Sequence, residues 1–175
     1  MKNIISVQNN NVVSLHNDPW VYIDDNTPLT KEAAAILSLD RWRIETAKAG
    51  WEDSNCGILL QPDDDPELDA SMLAHVPIIA LQFPTFLDGR AYSQANLLRS
   101  RYHYKGELRA VGDVLRDQLM LMHHCGFTSF ALREDKSVED ALQGLAHYDL
   151  MYPRTALSPI PLFRRRFRTA QLKNS

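Results

Sequence analysis

Between Phe83 and Phe130 the chain reads FPTFLDGRAYSQANLLRSRYHYKGELRAVGDVLRDQLMLMHHCGFTSF, and its charged residues are the ones that could do chemistry. Asp88-Gly89-Arg90 follows an apolar run, and five arginines fall from Arg90 to Arg116, among Asp88, Glu107, Asp113 and Asp117. Arginine carries a planar fork of donors that matches an oxyanion bidentately, and a helix start just beyond Arg90 would add free N–H groups. Phosphate, sulfate, sulfite or a carboxylate is therefore the ligand class this segment suggests. The competing reading is a tight loop in which Arg90 is paired with Asp88 or Asp113.

The neighbouring residues divide in the same way. Ser93 fits a helix N-cap better than a nucleophile. Asp113, behind a glycine that permits close chain approach, also reads as an N-cap. Its place at the end of an apolar strand leaves acid–base catalysis open for it, as for Asp88. Side chains alternate along a strand, so Glu107 and Arg109 share one face. They are either an internal pair completed by Arg99 or Arg101, or a pocket floor. Asp117 lies in the same charged segment. His123, His124 and Cys125 do not read as a metal site, because successive helical side chains diverge by about 100°. Cys125 is expected as a small buried apolar group. Asp63, Asp64 and Asp65 lack any calcium-loop spacing and read as a turn before Pro66. Nucleotide-binding, zinc-protease and serine-hydrolase motifs do not occur, and no cofactor is indicated.

The elements that must hold these residues follow from the apolar pattern. IISV and VVSL flank three asparagines and read as a hairpin within residues 1–23, with a short strand WVYI after it. Thr30 could cap a helix through KEAAAIL, and Trp42 and Trp51 should cover one end of the core. The runs GILL, PIIALQF, ELRAV and SFAL then alternate with helical segments: one from Pro66, one near SQANLLRSRY, one over DVLRDQLMLMHH closed by Gly126, and one from Ser137. This alternation predicts an α/β fold, a mostly parallel sheet of about four βα units, flavodoxin-like or half-barrel-like. Ligands of such sheets bind beyond the carboxyl ends of the strands. That points to the loops at Gln61–Asp65, Pro84–Tyr92, Gly112–Asp113 and Arg133–Glu134.

The chain has 175 residues, enough for one domain (expected over 1–153), and ordinary globular composition, 45% hydrophobic and 23% charged. Its net charge of −3 hides an asymmetry: the tail from 154 to 175 carries +6 and no acid, leaving −9 for residues 1–153. An acidic body argues against specific nucleic-acid binding, and the tail supports only a weak electrostatic preference. The two cysteines have no CxxC partner, and neither a signal-like nor a membrane-spanning apolar run occurs. A cytoplasmic protein is expected, with no membrane partner and with homo-oligomerisation open.

The pattern FPxFxDGRxYSxAxLLRxRYxYxGELRAVGDVLRDQ closely resembles the core signature of the domain-of-unknown-function 934 family of bacterial proteins. The resemblance covers about Gly57 to Leu132. It implies an uncharacterised accessory role in assimilatory sulfite reduction, with sulfite reductase as partner and no defined activity. The family's polar positions fall on Asp88, Arg90, Ser93, Arg99, Glu107, Arg109, Asp113, Asp117 and Gln118. His123-His124 departs from the paired arginines the family often shows. Three functional readings follow: an accessory protein binding an oxyanion or docking on the reductase through the Asp88–Arg90 loop; an enzyme with Asp88 or Asp113 as acid–base and Arg90 or Arg109 as anion clamp; or a structural module.

Overall fold

A computed structural model of the chain describes residues 3–8, 11–15, 17–29, 34–48, 55–66, 70–73 and 76–145. The expected basic tail, Trp51 and the Thr30 cap lie outside the described residues. Eight strands form one sheet in the order β2-β1-β8-β7-β6-β5-β4-β3. The hairpin β1 (Ile4–Gln8) and β2 (Asn11–Leu15) is antiparallel, and β1 runs antiparallel to β8 (Ser129–Ala131). The strands β3 (Val21–Tyr22), β4 (Ala35–Ser38), β5 (Cys56–Leu60), β6 (Ile78–Phe83), β7 (Glu107–Gly112) and β8 are parallel throughout. From β3 to β8 the spatial order is the chain order. A flavodoxin-like sheet reverses its order at a switch point; this one does not, so it is the half-barrel alternative.

Among the described residues five helices connect or follow the strands: α1 (Leu39–Thr46), α2 (Ala70–Leu73), α3 (Arg90–Ser100), α4 (Leu119–Cys125) and α5 (Val138–Leu145). Right-handed crossovers between successive neighbours carry every helix to the same side. The packing follows that rule. Ile58, Leu60, Ile79, Leu81, Phe83, Leu108, Ala110 and Phe130 belong to one core with Leu39, Ala91, Ala95, Leu98, Leu119, Met122 and Ala141 from the helices. The alternate strand positions Ile36, Leu59, Ile78, Ala80 and Val111 form a second, smaller cluster with Trp20 and no helical residue. Among the described residues the concave side thus carries a strap, Asn17–Trp20, and no helix layer.

Three expectations are corrected. AILS is not the end of a helix but strand β4, and helix α1 begins after it, with the Ser38 hydroxyl accepting the Arg41 N–H. β-Branched and apolar residues buried on a parallel sheet override the helical propensity of the alanines before them. The βα units consequently number five, from β4–α1 to β8–α5. The helix expected over DVLRDQLMLMHH (113–124) starts late: Arg116–Gln118 forms a 3-10 turn and α4 follows. Gly126 closes α4 at φ 110°, a left-handed conformation glycine adopts without steric cost. No described helix is long and apolar enough to cross a membrane.

Candidate functional site: the loop rim and the concave hollow

The carboxyl ends of β5, β6, β7 and β8 bring four loops together. Asp88 turns back onto the first residue of α3: its Oδ1 accepts the Arg90 backbone N–H at 3.1 Å and Nε at 3.0 Å, and its Oδ2 accepts Nη2 at 2.6 Å. The other arm of Arg90 donates to Asp63 of the β5–α2 loop. These donors hold the Asp88 carboxyl below its ordinary range, chiefly through the Arg90 side chain, and raise the Arg90 pKa in return. Gln94, buried on α3, fixes the same β5–α2 loop by donating to the carbonyls of Gln61 and Asp64, both at 2.9 Å.

Asp113 ties the β6–α3 loop to the β8–α5 loop. Its Oδ2 accepts the Phe86 N–H at 2.9 Å and its Oδ1 accepts Arg133 Nη1 at 3.0 Å, while Arg133 also meets Asp135. Arg133 first, then the Phe86 amide, lower the Asp113 pKa. Gln118 completes the brace by donating to the Phe86 carbonyl at 2.8 Å. Both backbone polar groups of Phe86 are therefore held from outside the loop, and the loop also makes its own Asp88 N–H to Thr85 carbonyl bond of 3.0 Å. On this braced loop Phe86 is 49% and Leu87 79% exposed.

The cap assignments change accordingly. Gly89, not Ser93, occupies the N-cap of α3, and Ser93 lies exposed in its first turn. Asp113 is not an N-cap: Leu115 precedes the 3-10 turn, and the Asp113 carboxylate bridges two loops. Asp117 is exposed in that turn.

Arg99 and Arg109 take no part in the rim. Arg99 lies against the helix layer, donating Nε to the Gly126 carbonyl at 2.9 Å and Nη1 to the carbonyls of Tyr104 and Gly106 at 2.6 and 3.0 Å. Burial lowers its pKa. It does not complete the Glu107–Arg109 pair; Asp18 does. Arg109 Nη1 and Nη2 donate to Asp18 Oδ2 and Oδ1 at 2.7 and 2.8 Å, and Nη2 donates to Glu107 at 2.7 Å. Ser129 donates to the same Glu107 oxygen and accepts Arg109 Nε at 3.2 Å. Burial alone would depress the Arg109 pKa, but the two carboxylates outweigh it and the guanidinium stays charged. Arg109 is 0% exposed. It is sealed under the strap and is no pocket floor.

His124 is buried with both ring nitrogens unpartnered, and burial together with His123 lowers its pKa. Cys125 is half-buried, a position that raises its pKa. Among the described residues no group of three His, Cys, Asp or Glu side chains is placed to hold a metal.

The concave side offers a hollow of about 360 Å³ that the charged residues do not touch. Gln61, Gln82, Tyr22 and Pro84 form its walls, over Ile36, Leu59 and Val111. Val111 lies two residues beyond Arg109 on the same strand face, so the hollow begins where the strap ends. Gly112, at φ 95°, shapes the edge: a Cβ there would approach the Phe83 carbonyl oxygen and stand 2.7 Å from Gln82 Nε2. Gln82 carries the one signal by which sequence reading could have found this site, a lone amide in an otherwise apolar strand, at the same parity as Ile78 and Ala80.

No curated protein and no solved structure matches the chain significantly. A family model matches residues 57–163, which takes in four of the five βα units, the braced loops and the walls of the hollow apart from Tyr22. The chain thus belongs to the family described as bacterial protein of unknown function (DUF934).

Proposed function

We propose that this protein is an accessory binding module that docks on a partner protein through the β6–α3 loop. The carrying observation is the presentation of Phe86 and Leu87, exposed on a loop whose backbone is braced by Asp113 and Gln118. Exposed apolar side chains on a pre-ordered loop lose little conformational entropy on association, which is the usual anatomy of a binding anchor. The surrounding rim charges supply orientation. The loop residues 61–65, 84–90, 112–118 and 133–137 hold eight carboxylates against four cations, so the complementary surface is basic. The partner that the family resemblance implies is sulfite reductase.

The oxyanion reading of this loop rests on the half-exposed guanidinium of Arg90. Two carboxylates already meet that group, and the excess negative charge of the rim opposes a free anion. Acid–base catalysis by Asp88 or Asp113 has less support: each is held in its ionised form by an arginine and a backbone amide, whereas a general acid needs its pKa raised.

Titrating purified reductase into the full chain by calorimetry tests the docking. Wild type should bind, Phe86→Asp and Leu87→Asp should abolish binding, and raised salt should slow association. Saturable binding of sulfite, sulfate or phosphate that Arg90→Ala removes, with no reductase binding, would replace docking by anion binding.

A further inference from the structure

We propose that the concave hollow is a binding site for a small, uncharged, flat heterocycle with an imide- or amide-type edge. Among the described residues no charged side chain lines it, and an ion buried there would lack a partner among them, which favours a neutral ligand. Its walls hold two carboxamides, Gln61 and Gln82, whose side chains have no hydrogen-bond partner among the described residues. Leu60 pairs with Leu81 across β5 and β6; Gln61 is the first residue past the end of β5, Gln82 the next residue of β6, and both line the hollow. Neighbouring strands lie about 4.8 Å apart, and the two residues follow a paired position at the ends of neighbouring strands, so both amides can reach one ligand in the hollow. Each presents a carbonyl and an NH2 group, so together they can meet a ligand edge that alternates donor and acceptor.

The remaining surfaces fit the body of such a ring. Leu59, Ile36 and Val111 give apolar surface, and the Tyr22 ring and Pro84 complete the lining. At about 360 Å³ the space lies near the lower end of small-molecule sites and suits a fused ring system without charged appendages. Its place at the carboxyl ends of parallel strands is where an α/β sheet exposes backbone and side chains that no ladder or helix occupies. Pro84 begins the loop that carries Phe86, so a docked protein would lie beside the hollow, yet the two sites share no anchoring residue.

Lumichrome, an uncharged three-ring imide, is a suitable probe, followed by its own fluorescence on titration with the full chain. One saturable site is expected, weakened about tenfold in Gln82→Leu and in Gln61→Leu, as loss of one directed hydrogen bond implies. Tyr22→Ala should weaken it less. Sulfate should not compete, and Phe86→Asp should bind lumichrome like wild type, which separates this site from docking. Melting curves would verify that each variant folds. Absence of saturation, unchanged affinity in the folded Gln82→Leu and Gln61→Leu variants, or displacement by sulfate would each overturn the assignment.

Discussion

Asp18 and Arg109 stand 91 residues apart in the chain and meet through two parallel hydrogen bonds of 2.7 and 2.8 Å. The pair fastens the Asn17–Trp20 strap across the concave face of the sheet, and Trp20 joins the apolar cluster of that face. Removing one member of a buried ion pair leaves the other uncompensated, which costs about 3–5 kcal/mol. Asp18→Ala should therefore lower the unfolding free energy from urea denaturation by that order, and the midpoint with it, despite the remaining Glu107 contact. A midpoint equal to wild type would show that the strap contributes nothing to stability.

Acid should loosen the loop rim. The folded-state pKa values of Asp88, Asp113 and Asp135 are all depressed, so the stabilisation they supply is present above the unfolded carboxylate value, about 3.9, and fades as pH falls through the lower folded values. Amide exchange at Phe86, corrected for intrinsic rate, should accelerate below about pH 4 and should already be fast at neutral pH in Asp113→Ala. Protection that persists in that variant would remove Asp113 as the brace.

His124 produces a second pH effect at milder values. Its folded pKa is depressed, so the unfolded chain takes up the proton first, and stability declines as pH drops below about 6.5. His124→Leu removes the two unpartnered ring nitrogens and should make the melting temperature nearly independent of pH between about 5 and 7 in this respect. A variant as acid-sensitive as wild type would place the effect elsewhere.

Gly112→Ala forces a side chain into a left-handed backbone position and against the Phe83 carbonyl. A loss of about 1–3 kcal/mol is expected from chemical denaturation. Gln82 would be displaced as well, so any lumichrome affinity should fall more in this variant than stability alone explains.

The layout of β5 to α5 was legible because each strand is a short apolar run and each connection is punctuated by Pro, Gly or Asp. The half-barrel order was not, since alternation of strands and helices is the same whether a sheet reverses or not; packing geometry alone distinguishes them. β4 was hidden by the alanines before Ala35, whose helical preference acts locally while burial acts through β5. Asp18 could not have been paired with Arg109 from the chain, as nothing in NDPW marks a strap. Ser93 was misread for a different reason: α3 starts earlier because the Asp88 carboxylate takes the Arg90 amide, so the polar residue nearest the predicted start is already inside the helix. The rim loops follow from the strand ends, but the exposure of Phe86 and Leu87 does not, since an apolar residue in a short loop gives no indication of whether it faces water.

The one-sided helix layer divides the labour of the sheet. Every odd–even step along a strand switches a residue between maintaining the scaffold and facing the open side, so Leu59, Gln61, Gln82 and Val111 can be exchanged with little disturbance to the helices behind them. Related chains could then diverge in what they hold while folding alike, and a designer could retune the inner wall one position at a time.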